Sequence, residues 1–171
     1  MLELVSGIPD RETFDRLFDE AWPKISAERQ RVGDRNLRES LWKGLHYGEC
    51  YMYVIDGYVV GCGSGEAIYI DGEKWFWFRT PTLGSDQNGS KAWFYSEDMQ
   101  RVPAEVRKAS GYVGSIVVAN TESPAKAAVE SSYGSFNAYM DRPEKVDAAS
   151  VFGEEHSENL RFASVYKIRY L

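Results

Sequence analysis

Phosphate holding is the first chemistry that the residue pattern offers. Gly84-Ser85-Asp86-Gln87-Asn88-Gly89-Ser90-Lys91 is a loop containing glycine and asparagine, placed just before a long helical segment. Unpaired backbone N–H groups and the positive end of the helix dipole converge at such a start and can cradle phosphate oxygens. Metal ligation is not expected. The chain has only two histidines, His46 and His156, and two cysteines, Cys50 and Cys62, and a zinc site of the usual ligand spacing is not expected from them. The two cysteines flank one hairpin and could face each other across it. With no export signal in sight, reduced and buried thiols are the expectation.

These groups need a frame, and the periodicity supplies one. Leu2 to Val5 reads as an edge strand. Asp10 can cap a helix in which Phe14, Leu17, Phe18, Trp22 and Ile25 share a face, with Pro23 kinking or dividing it. A second helix restarts at Asp34 or Asn36 and carries Leu37, Leu41, Trp42 and Leu45 inward. Asp56-Gly57 and Asp71-Gly72 are tight-turn signals that split residues 50 to 78 into three strands. Gly61, Gly63 and Gly65 alternate along the middle one, which suggests a bulge or a close backbone approach. Trp75-Phe76-Trp77-Phe78 is apolar at every position and reads as a central strand covered on both faces, ended by Pro81.

From Ser90 or Lys91 to Ser110 the pattern is helical, with Trp93, Met99, Val102, Val106 and Ala109 near one face. Pro103 threatens to split this helix, Ala92 to Tyr95 could form a short strand, and Gly111 stops the segment. Tyr112 to Val118 reads as a buried strand. Ser123-Pro124 starts a helix that ends near Gly134, and Phe136 to Met140 is a strand candidate. Asp141 to Asn159 is expected to be a polar loop, and Arg161 to Tyr170 alternates as a closing strand.

At 171 residues, 43% hydrophobic and 14% aromatic, the chain is expected to form a single globular domain over residues 1–171. A net charge of -6 argues against nucleic acid as a partner. Nothing in the sequence has the length needed to span a bilayer, and the first residues lack a basic region followed by an apolar run. A cytoplasmic protein is therefore expected.

The order of elements and several local motifs resemble the GNAT superfamily of acyl-CoA N-acyltransferases, over about residues 2 to 170. Val54-Ile55-Asp56-Gly57-Tyr58-Val59-Val60-Gly61 looks like the family's hairpin. Val106 to Tyr112 looks like the end of its central helix, and Glu122-Ser123-Pro124-Ala125 through Tyr133-Gly134 like the helix that follows its fifth strand. The resemblance implies an α+β fold, with a twisted mixed sheet of six to seven strands flanked by about four helices. It implies acetyl-CoA as co-substrate and a small-molecule or protein amine as acceptor. The backbone of Phe78, Arg79 and Thr80 would pair with pantetheine, and Gln87, Asn88, Gly89, Ser90 and Lys91 would hold the diphosphate. In this loop Gly89 fits the family's first glycine, whereas Asp86 and Lys91 depart from its pattern.

Two further roles follow from the resemblance. Glu66, on a strand near the middle of the sheet, is the first choice for general base. Val129 occupies the place of the usual proton-donating tyrosine, and Tyr133, one turn on, could reach in. His46 could line the acceptor cleft. The amine would attack the thioester directly, and the acidic surface would favour a cationic acceptor. The alternative is a catalytically inactive interaction protein of the same fold, of a kind that phages encode. A homo-oligomer or a protein partner is compatible with the aromatic content.

Overall fold

The computed structural model describes residues 1–24, 30–84, 97–120, 138–154 and 163–171. Seven strands form one mixed sheet in the order β1-β2-β3-β4-β5-β7-β6. They are β1 Leu2–Ser6, β2 Glu49–Ile55, β3 Tyr58–Ile70, β4 Glu73–Gly84, β5 Gly114–Asn120, β6 Glu144–Val146 and β7 Ala163–Arg169. Four α-helices are described: α1 Arg11–Ala21, α2 Asp34–Gly44, α3 Glu97–Ala109 and α4 Ala148–Phe152. The α+β class and the mixed sheet follow the expectation. β4 and β5 run parallel, which requires the chain to cross over between them.

The described residues fall into two compact units, one of Met1–Glu66 with Phe78–Val102, the other of Ala67–Trp77 with Pro103–Leu171. In the first unit, Asp10 caps α1 by accepting from the Thr13 N–H at 2.7 Å. The expected apolar face then buries Phe14, Leu17 and Phe18 completely. These side chains pack with Leu37, Leu41 and Leu45 from α2 and with Cys62 and Leu83 from the sheet. Pro23 does end α1, which passes into a short 3-10 turn, Trp22–Lys24. On the outer side Arg11 joins Asp15 at 3.1 Å, and its other nitrogens reach Glu39 on α2. Both hairpin turns form where Asp and Gly predicted them, with positive φ at Asp56, Gly57, Asp71 and Gly72.

Pro81 does not end β4, which runs on to Gly84. Proline removes one N–H, but its fixed φ remains compatible with extended backbone, and continuing the strand buries Leu83 in the α1–α2 core.

In the second unit Trp75, Ile116, Val151 and Val165 form the core. Gly114 lies directly against Trp75, and a Cβ there would overlap the indole and the Ile168 carbonyl oxygen. The stretch from Asp141 is not the expected loop. It contains β6, paired with β7, and α4, capped by Asp147 through the Ala149 N–H at 3.3 Å. Elements of three and five residues show too few positions for periodicity to register, yet Trp77 and Phe152 pack with ring centroids 4.6 Å apart. Of the strand candidate Phe136 to Met140, Phe136 and Asn137 lie outside the described residues, and Met140 makes an isolated bridge with Tyr170.

Helix α3 accommodates Pro103 in its interior and remains one helix. Its buried stripe is Gln100, Val102, Pro103, Ala104 and Arg107; Val102 lies inward as expected, and Val106 is exposed. Two polar members of that stripe hid it from an apolar periodicity. Ala92 to Tyr95 and the helix expected at Ser123 lie outside the described residues.

Candidate active site

The three alternating glycines of β3 acquire a purpose from their register. Gly61 pairs with Tyr53 and Gly63 with Tyr51. Paired positions on neighbouring strands present their side chains on the same face, so each tyrosine ring lies over a strand that offers no side chain. Tyr51 and Tyr53 are buried and meet edge-on with centroids 5.3 Å apart. The Tyr51 ring also reaches Phe78 on β4, with centroids 6.5 Å apart and planes at 80°. Strands two positions apart are separated by roughly 10 Å, and only an empty strand between them permits that contact. The nearest register shift lies between Tyr53 and Val54 on the partner strand.

The other face of β3 carries Cys62, Ser64 and Glu66. Ser64 is fully buried, and its Oγ donates to the Gly44 carbonyl oxygen at the end of α2, at 3.0 Å. Gly48, with φ +77°, is pressed against β3, and a side chain there would overlap the Gly65 carbonyl oxygen. Glu66 comes next along the strand. It is half-exposed, and its carboxylate accepts from Arg79 Nη1 on β4 at 3.3 Å. Two residues singled out for different tasks are thus joined in one ion pair.

Cys50 and Cys62 are free thiols. They do not face each other, since Cys50 pairs with Ser64 and Cys62 with Met52. Burial pushes the Cys50 thiol up to about 11. Burial, with the nearby Cys50, pushes Cys62 up to about 12. A thiolate is the nucleophilic form, so neither side chain is poised to carry an acyl group covalently. Among the described residues no group of His, Cys, Asp and Glu is arranged to hold a metal ion.

In the second unit, β4 and β5 share a short ladder of three pairs: Trp75 with Gly114, Phe76 with Ser115, and Trp77 with Ile116. Phe76 lies under the Arg107 guanidinium, 4.1 Å from the ring centroid, and packs edge-on against Tyr112. Ser115 Oγ is hydrogen-bonded to the Tyr170 hydroxyl in the interior.

Of the residues expected to form the site, Phe78, Arg79 and Thr80 lie on β4, and Glu66 lies beside Arg79. Gln87, Asn88, Gly89, Ser90, Lys91 and Tyr133 lie outside the described residues. The first described turn of α3 carries Glu97 and Asp98. Two carboxylates suit a helix N-terminus but repel a diphosphate, so this turn is not itself a phosphate site. The contact of Tyr51 with Phe78 is signalled in the sequence only by Gly63, the residue opposite Tyr51.

No protein-family profile matches the chain, and no curated protein matches it. Solved structures do. An aminoglycoside N-acetyltransferase, AAC(6')-Ib11, superposes with a TM-score of 0.59 at 10% identity, covering 99% of this chain and 96% of that one. AAC(6')-Ib, solved in complex with Parmomycin and acetyl-CoA, gives 0.58 at 10% identity, covering 98% and 93%. A protein from Desulfovibrio desulfuricans assigned to the GNAT acetyltransferase family gives 0.53 at 11% identity, covering 100% and 98%. The chain has the fold of these acetyltransferases, at 10–11% sequence identity.

Proposed function

We propose that this chain is an N-acyltransferase that moves an acetyl group from acetyl-CoA to a cationic amine by direct attack. The observation that carries this reading is β4. It stays extended to Gly84, and Arg79 on it is paired with Glu66. Extended backbone with an open edge pairs readily with an extended ligand. Pantetheine, with its two amides, is such a ligand, and the backbone of Phe78, Arg79 and Thr80 would hold it. The Tyr51–Phe78 contact would keep that backbone rigid.

Acetyl-CoA supplies the thioester whose carbonyl carbon the amine attacks. Gln87, Asn88, Gly89, Ser90 and Lys91 would cradle its diphosphate, because the acidic turn at Glu97 and Asp98 is unsuited to it. Glu66 draws in the acceptor's ammonium, whose proton leaves directly or through water. Tyr133 would protonate the departing thiolate. The raised thiol pKa values at Cys50 and Cys62 favour direct attack over a covalent enzyme intermediate. The complex of AAC(6')-Ib with acetyl-CoA supports the same donor here. No described helix is long and apolar enough to cross a membrane, which fits the cytoplasmic location that we also propose.

The test is thiol release from acetyl-CoA over a panel of polyamines, aminoglycosides and peptide amines. Turnover with at least one amine, with the KM for that amine raised in Glu66→Gln, is expected. Absence of thiol release with every amine would contradict the reading.

A further inference from the structure

His46 stands just past the C-terminal end of α2, and two contacts fix its ring. Nδ1 lies 2.8 Å from the Trp42 carbonyl oxygen. A carbonyl oxygen only accepts, so Nδ1 carries the proton and donates. A neutral ring in this tautomer keeps its lone pair on Nε2. The imidazole also meets the Trp42 indole edge-on, with centroids 4.9 Å apart. The residue is exposed, and among the described residues Nε2 has no hydrogen-bond partner.

The backbone then carries this ring toward Glu66. Two residues on, Gly48 is pressed against β3, where an added Cβ would lie 3.1 Å from the Glu66 Cβ. Two residues of chain span at most about 7 Å, so the backbone of His46 lies close to the backbone that bears Glu66. The carboxylate itself is engaged by Arg79. As a residue type, imidazole titrates nearer neutral pH than a carboxylate, which makes it the better exchanger of protons there.

We infer that His46 Nε2 takes the proton from the acceptor's ammonium, while Glu66 holds that cation in place. The inference rests on the acyl-transfer reading above. The amine nitrogen bonds to the thioester carbonyl carbon, the C–S bond breaks, and sulfur leaves with the electron pair. The nitrogen sheds two protons in all. One goes to Nε2 and on to water, and the other goes to the sulfur. The imidazolium formed in passing is stabilised by its bond to the Trp42 carbonyl and by the negative end of α2. The charged and titratable neighbours are Lys43 on α2, Tyr47 on the connection to β2, Glu49 at the start of β2, and the Glu66–Arg79 pair.

The test is the pH profile of thiol release for wild type, His46→Gln and Glu66→Gln, with acetyl-CoA binding measured by calorimetry on each. His46→Gln is expected to lower kcat about 100-fold, to abolish the acidic limb of the profile, to leave acetyl-CoA binding unchanged and to be partly rescued by added imidazole. Glu66→Gln is expected to raise the KM for the amine and to keep that limb. A His46→Gln enzyme with the wild-type limb and kcat within about threefold of wild type would overturn the assignment and leave acyl transfer standing. A wild-type protein that neither binds acetyl-CoA nor releases thiol would overturn both, and the binding measurement tells the two failures apart.

Discussion

Tyr51 on β2 and Phe78 on β4 touch edge-on across β3, with ring centroids 6.5 Å apart, because the residue paired with Tyr51 on the strand between them is Gly63. A side chain at position 63 would stand on the same face and displace the Tyr51 ring. Gly63→Val is expected to lower stability by about 1–3 kcal/mol and to weaken acetyl-CoA binding. Gly57→Ala, at an open turn position, serves as a control that leaves binding unchanged. Urea unfolding and calorimetry check both effects.

The sequence made the hairpins, both α1 and α2 faces and the central strand legible, because each rests on a local cue: Asp-Gly turns, an Asp10 cap, or apolar residues at helical spacing. It failed where the controlling contact was distant or the element short. Pro81 signals a stop, yet burial of Leu83 against α1 and α2 outweighs it. Gln100 and Arg107 occupy a buried stripe that an apolar pattern assigns to Val106. Glu66 was legible as a strand carboxylate, but its pairing with Arg79 depends on how β3 and β4 come together.

Gly114 tests the packing of the second unit. A Cβ there meets the Ile168 backbone carbonyl as well as the Trp75 ring, and backbone cannot swing aside as a flexible side chain can. Gly114→Ala is expected to cost about 2–3 kcal/mol in urea unfolding. A change under about 0.5 kcal/mol would show that β5 does not press on Trp75 in solution.

Thiol chemistry follows from burial. With Cys50 raised to about 11 and Cys62 to about 12, little thiolate exists at neutral pH. Iodoacetamide is expected to label both residues much more slowly in the native protein than in urea, with Cys62 the slower. Rapid native labelling at either position would contradict this and reopen a covalent route.

Acid sensitivity has a traceable source at Glu39. Its hydrogen bond from Arg11 holds the carboxyl below the ordinary carboxylate range. A carboxylate with a depressed folded-state pKa stabilises above its unfolded pKa, and that contribution is lost as pH falls through the folded value. Glu39→Gln is therefore expected to flatten the acid limb of the stability profile. An unchanged acid limb would place the acid sensitivity elsewhere.

The most direct test of the account is amide hydrogen exchange over the peptide containing Phe78, Arg79 and Thr80, with and without saturating acetyl-CoA. Acyl transfer on this fold predicts slower exchange there when acetyl-CoA is present, because pantetheine takes up backbone groups of β4. Unchanged exchange in that peptide and throughout the chain, at millimolar acetyl-CoA, would contradict the account and leave the fold as a scaffold without its donor.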